Sequence, residues 1–249
     1  MSTASPAEPR PAAELPLFYR EPRPLDPARH ARAGLVATRS LGFAAKTNSV
    51  PLAADEFYIA QAHYPIVFTQ GKQPAPVAVV GLANEDNLFV AGGKWRDGAY
   101  VPAYVRRYPF VFIRSGDDSK YILAVDEAAE GYASDGGQPL FEGEEPTAST
   151  KHALQFCVEF QRQYEIAQAF AAAAEAAGLL TEYRADIRRG DRVITLSGFR
   201  VVDEAKFNGL PDETFLNWRQ RGWLALTYAH LMSMRRWDAL AALTDKKKP

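Results

Sequence analysis

The segment KWRDGAYVPAYVRRYPF at 94–110 gathers the side chains best suited to chemistry. Trp95, Tyr100, Tyr104, Tyr108 and Phe110 are interleaved there with Lys94, Arg96, Arg106 and Arg107. Arginine forks onto carboxylates and stacks on flat rings, and aromatic rings supply rigid contact area. The mixture therefore suits capture of a peptide, a carboxylate or a sugar. Trp95, Tyr104, Arg106, Arg107 and Tyr108 are the candidate partner-binding residues. The same pattern arises when the aromatics fill a core and the arginines are solvated or paired with Asp97, Asp126 or Glu127. If the binding reading holds, Arg107→Ala weakens partner binding and leaves the fold intact.

Other chemistry has less to work with. The four histidines are His30, His63, His152 and His230, and none sits in His-x-Asp, His-x-Glu, His-x-x-x-His or His-Glu-x-x-His. A metal site would have to be assembled from distant residues, with His63, Asp126 and His230 as the candidates. The single cysteine, Cys157, lies in an apolar helical pattern, which reads as a small buried hydrophobe and excludes an intrachain disulfide framework. There is no Gly-x-Ser-x-Gly elbow, no Gly-x-Gly-x-x-Gly and no Walker-type loop. These absences lean against an enzyme without deciding it, and no cofactor is expected.

These residues must be positioned by the surrounding elements. The chain uses one phrase twice, HYPIVF at 63–68 and RYPFVF at 107–112, with the two Tyr-Pro pairs 44 residues apart. Proline lacks an amide hydrogen and drives the preceding residue out of the helical region. Each Tyr-Pro therefore reads as a helix stop leading into a strand. A second apolar run follows each, PVAVVGL and YILAVDE, so a helix–Pro–strand–turn–strand unit is expected twice between about 55 and 127. GGKWRDG at 92–98 and RSGDDSK at 114–120 supply turns.

Residues 1–14 read as an unstructured tail and 15–245 as one globular unit. The proline-rich 15–31 carries Leu15, Leu17, Phe18 and Tyr19 and is expected to wrap over the core. Alternation at 34–48 predicts one or two strands, and 128–148 predicts an acidic, glycine-rich loop with one apolar patch at Leu140-Phe141. A helix is predicted from Ser149 to Ala177, with Ala153, Cys157, Phe160, Tyr164, Ala167 and Ala171 as its buried stripe. Ser149 or Thr150 would cap its start, and Gly178 its end. TEYRADI and VITLSGFRVVD form a strand pair across RRGDR. The chain then closes in helices from Asp212 to Leu243, broken near Arg221-Gly222. Strands first and helices last, with antiparallel turns, give an α+β class.

The charge balance is nearly even, 29 Lys+Arg against 30 Asp+Glu. That leaves no basic excess for nucleic-acid binding. The N-terminus lacks the positive start and apolar core of a secretory signal, and no apolar stretch reaches the roughly 18 residues of a membrane span. A cytoplasmic protein without a transmembrane segment is the expectation.

Taken in order, EFYIAQAHYPIVF, PVAVVGL, NLFVAGGKW, YVPAYVRRYPFVF, LFEGEEPT, GFRVVDEAKFNGL and RGWLALTYAHLMS resemble the SapC family of bacterial proteins. The resemblance spans about residues 15 to 243. It implies a setting in surface-protein export, TonB-linked uptake or peptide modification, and it brings no catalytic residues to carry over. Three readings follow. The first is an accessory protein that binds a peptide or protein partner. The second is a metal-dependent, oxygenase-like peptide-modifying enzyme needing His63 or His230 as a ligand. The third is a scaffold that forms homo-oligomers through the C-terminal Trp and Leu helices.

Overall fold

A computed structural model describes residues 15–37, 40–114, 120–189 and 192–246. The expected tail at 1–14, the tips of the RSGDDSK and RRGDR turns and residues 247–249 lie outside the described residues.

The N-terminal part holds β1 (Pro22–Pro24), β2 (Gly34–Leu35) and β3 (Ser49–Pro51). A 3-10 turn at Ala54–Glu56 runs into α1 (Phe57–Ala60), followed by β4 (Ile66–Thr69) and β5 (Pro76–Val79). The pattern returns after the small hairpin β6 (Val90–Ala91) and β7 (Lys94–Trp95). α2 (Ala103–Arg106) precedes β8 (Phe110–Arg114) and β9 (Tyr121–Asp126). Each Tyr-Pro thus follows a single helical turn and leads into an antiparallel hairpin. The two hairpins enter different sheets. β4 and β5 lie inside a five-stranded sheet of order β14-β15-β4-β5-β3, where β14 is Leu180–Arg189 and β15 is Arg192–Val202. β8 and β9 pair with the wrapped N-terminal segment in the order β1-β9-β8.

The first hairpin is buried on both faces: Ile66, Val67, Phe68 and Ala78 are each at most 1% exposed. Burial of that kind needs cover on each side. α3 (Ala148–Ala176) crosses β5, and α6 (Trp223–Ser233) packs on α1 and β4. The main core joins Phe57, Phe68 and Phe170 edge to face. α3 buries Cys157, Phe160, Ala167 and Ala171 as its spacing predicts, together with Phe170 and Ala174, while Ala153 and Tyr164 are half-buried. Its cap is a correction. Thr147, not Ser149 or Thr150, is the extended residue whose hydroxyl accepts the Thr150 N–H, at 3.4 Å. Thr150 is already helical and turns its own hydroxyl onto the Leu140 carbonyl. At the far end Gly178 adopts φ 68°, and Leu179 N–H reaches back to the Ala174 carbonyl, the closure that a left-handed glycine permits.

The C-terminal helices break where expected. α5 (Asp212–Gln220) stops before Gly222 at φ 74°, and α7 (Arg236–Lys246) follows α6, while the five-residue α4 (Glu204–Asn208) precedes them. Trp95, Trp218, Trp223 and Trp237 are all buried, so their rings are spent inside the fold. Helices, several small antiparallel sheets and a C-terminal helical region make the chain α+β, as the sequence predicts.

Two segments differ from their sequence reading. At 34–48 the described residues contain only the two-residue β2 and a 3-10 turn at Gly42–Ala44. β2 is the centre of a small sheet with β10 (Tyr132–Ala133) and β11 (Gln138–Pro139). It is held so tightly that a Cβ on Gly34 would stand 2.3 Å from the Gly136 carbonyl oxygen. Beyond it the alternating apolar residues line a recess rather than a sheet face. The 128–148 loop is also more structured than predicted. Besides β10 and β11 it folds into β12 (Phe141–Glu142) against β13 (Glu145–Pro146). Its apolar patch, Leu140-Phe141, joins a second core with Phe110, Leu123, Val125 and Cys157.

Candidate functional site

The five partner-binding candidates separate once placed. Trp95 is buried and donates its indole N–H to the Tyr64 hydroxyl at 3.1 Å. Tyr104 is buried, its hydroxyl on the Leu17 carbonyl. The Arg107 guanidinium is buried too, 4.0 Å from the Tyr104 ring centroid and 4.6 Å from that of Phe160. Arg106 is exposed and folds back over Tyr100 and Phe156 while donating to the Val101 carbonyl and the Tyr100 hydroxyl. Only Tyr108 borders open space of ligand size.

That space is a recess of about 810 Å³ walled by the N-terminal wrap, residues 35–37 and 40–46, the second Tyr-Pro and the loop after β9. A volume of this order is typical of ligand sites. Its apolar wall is Phe18, Leu41, Phe43, Tyr108 and Pro109. Phe43 stacks on Tyr108 with ring centroids 4.0 Å apart, and Phe18 meets Phe43 edge to face at 5.3 Å. Phe18 holds φ 80°, a left-handed backbone that a bulky side chain rarely adopts. Strain of this kind collects at functional sites. The rim is polar, with Arg20, Lys46, Glu130 and Gln138.

Beneath the aromatic wall lies a fully buried carboxyl group. Asp126 accepts the Glu21 N–H at 2.7 Å, the Arg20 N–H at 3.2 Å, the Ala128 N–H at 3.3 Å and the Tyr108 hydroxyl at 3.1 Å. This network ties the N-terminal wrap to β9 and fixes the Tyr108 ring. Burial, reinforced by Asp126, pushes the Tyr108 phenol up to about 12, so it stays a proton donor at any physiological pH. The Arg20 guanidinium is held by the Ala128 carbonyl and lies beside the Tyr108 hydroxyl.

The other Tyr-Pro shows the contrast. Tyr64 is fully buried, its hydroxyl on the Tyr100 carbonyl. Next to it the buried Glu56 accepts from the Ala53 and Ala103 N–H groups and from the Tyr100 hydroxyl at 2.9 Å. Burial raises the Glu56 carboxyl above its ordinary range. The first Tyr-Pro is core; the second opens onto the recess.

Of the metal candidates, His230 is fully buried. Its Nε2 accepts the Val202 N–H at 3.0 Å and its Nδ1 faces the Ile66 carbonyl at 2.7 Å, so both ring nitrogens already serve the backbone. His63 borders a separate groove of about 220 Å³ with Asp97 and Arg236. Asp126 is engaged as described above. Among the described residues no three His, Cys, Asp or Glu side chains converge as a metal ion would require. Also among the described residues, no helix is long and apolar enough to cross a membrane. Cys157 is buried, and burial pushes its thiol up to about 11, the direction of an unreactive side chain.

Sequence reading missed Phe18, Arg20, Phe43 and Lys46. For Phe18 and Arg20 the one available signal was the cluster of large apolar residues in a proline-rich segment that should otherwise float free; Phe43 and Lys46 had none.

Fold and site together define an α+β protein with a strained, aromatic-walled recess at the second of two Tyr-Pro turns. The chain belongs to the SapC family, whose model matches residues 25–240 and so takes in most of the recess. Comparison with curated proteins and with solved structures gives no match.

Proposed function

We propose that this SapC-family chain is a non-catalytic accessory protein that binds a peptide or protein partner through the recess. The carrying observation is the stacked Phe43–Tyr108 pair beside the strained Phe18, an apolar wall that packs on core on one side and lines open space on the other. Flat rigid rings give contact area at low entropic cost, and the polar rim orients what they hold. The setting implied by the family resemblance, surface-protein export, TonB-linked uptake or peptide modification in the cytoplasm, supplies peptides or protein segments as ligands. Tyr108 serves as a contact residue in this reading. Trp95, Tyr104 and Arg107 act from within the fold, and Arg106 lies outside the recess lining.

The test is to pan a phage-displayed random peptide library on the wild-type chain and on Phe43→Ala. Sequences enriched on the wild type and lost on a cooperatively folded variant support the reading. Equal enrichment on both, or none on either, overturns it.

A further inference from the structure

The recess has a chemical polarity that narrows its ligand. Among the described residues its rim carries two cationic side chains, Arg20 and Lys46, against one carboxylate, Glu130. Among the described residues neither cation forms an ion pair; Arg20 is steadied by a backbone carbonyl, and Lys46 is exposed. The Arg20 guanidinium also lies at the hydroxyl end of the Tyr108 ring, whose face Phe43 covers. The Tyr108 proton is committed inward to Asp126, at 3.1 Å, so the cations are what the rim offers an incoming anion. A group lying along the aromatic wall therefore meets the Arg20 guanidinium at the Tyr108 hydroxyl end, with an ammonium on the same rim.

Resting on the peptide-binding reading above, we propose that the recess recognises a carboxylate adjoining an aromatic or large apolar group. The peptide form of that chemistry is a C-terminal residue whose side chain lies on Phe43 and Tyr108 and whose terminal carboxylate meets Arg20 and Lys46. Guanidinium–carboxylate pairing is the strong, directional interaction of such a site. Internal peptide segments lack this carboxylate, and amidated ends lose it.

Four probes decide the matter by calorimetric titration of the full chain: Ala-Ala-Ala-Phe as free acid and as amide, and N-acetylphenylalanine as free acid and as amide. The expected result is roughly tenfold tighter binding of the acid tetrapeptide than of its amide, the size of one charge-assisted hydrogen-bond pair. Lys46→Glu lies on an exposed rim position and should fold normally; it should remove or invert that preference. Arg20→Gln should do the same, with a thermal melt to confirm folding. Acid and amide tetrapeptides binding equally would overturn the carboxylate assignment and leave the peptide reading standing. The acetylated amino acid binding as tightly as the tetrapeptide would support the carboxylate subsite and overturn the peptide as its source. No binding by any probe would overturn the assignment, and the library experiment would then judge the broader reading by itself.

Discussion

Phe43 lies almost face to face with Tyr108, ring centroids 4.0 Å apart and planes inclined by 25°. The pair joins a 3-10 turn near the N-terminus to the second Tyr-Pro, 65 residues later in the chain. Neither ring is fully buried, in contrast to Tyr64 in the first Tyr-Pro. A stacked pair left half open is the feature on which the binding proposal turns.

Phe43→Ala should remove one half of that wall. A half-buried phenyl contributes less than the roughly 3–5 kcal/mol of a core one, so a loss of about 2 kcal/mol is expected. For a chain of this size that lowers the melting temperature by about 4–8 °C. Differential scanning calorimetry should show one cooperative transition, and peptides selected on the wild type should no longer bind.

Tyr108→Phe separates the ring from its hydroxyl. Asp126 keeps its three backbone N–H donors and loses the phenol, which should cost about 1 kcal/mol in a denaturant titration. The aromatic wall survives, so peptide capture should fall far less than in Phe43→Ala. Equal loss of binding in both variants would mean that the hydroxyl, not the stack, is what the ligand uses.

Arg107→Ala should act on stability. Its guanidinium is buried against Tyr104 and Phe160, with Tyr19 5.6 Å away, and desolvated cation–π contacts of this kind are worth about 2 kcal/mol. Thermal melts should show the loss in Arg107→Ala and most of it in Arg107→Lys, because an ammonium cannot stack as a plane. An unchanged melt accompanied by lost partner binding would restore this arginine to the contact surface.

His230 sets a pH dependence. Burial pulls its imidazole down from 6.5 to about 4, outweighing the hydrogen bond to the Ile66 carbonyl, which favours the charged form. Between those values the unfolded chain binds the proton and the folded chain does not. Stability is therefore full above about pH 6.5 and falls as pH drops toward 4, by about 3 kcal/mol. His63, lowered by burial and by Arg236, slopes the same way, whereas the raised Glu56 carboxyl favours the fold at low pH and slopes oppositely. Comparing wild type with His230→Gln by urea melts across pH 4–7 isolates the effect. The variant should lose most of the acid sensitivity, since its amide can still accept from Val202 and donate to Ile66.

The sequence displayed the fold more clearly than the site. Periodicity located α3, Gly178 marked its end, Gly222 the break between helices, and the two Tyr-Pro turns their hairpins. All of these are local signals, carried by residues a few positions apart. The recess is assembled from Phe18, Phe43, Tyr108 and Glu130, four stretches brought together only by the tertiary fold, so no spacing announces it. The aromatic–arginine segment at 94–110 was conspicuous, but residue type does not reveal facing. Tyr104 and Tyr108, one turn apart, end up on opposite sides of the boundary between core and cavity. The alternation at 34–48 misled for the same reason, because lining a recess and lining a sheet both place apolar residues on one side.

The central claim is that a peptide sits on the Phe43–Tyr108 wall. The most direct measurement is a two-dimensional NMR titration of the labelled chain with a peptide enriched on the wild-type chain from the random library. Shifts should concentrate at Phe18, Arg20, Phe43, Lys46, Tyr108 and Ala129, with the α5–α6 surface unmoved. Shifts centred instead on Tyr228 and Met232, exposed residues of α6, or a spectrum unchanged at saturating peptide, would contradict it.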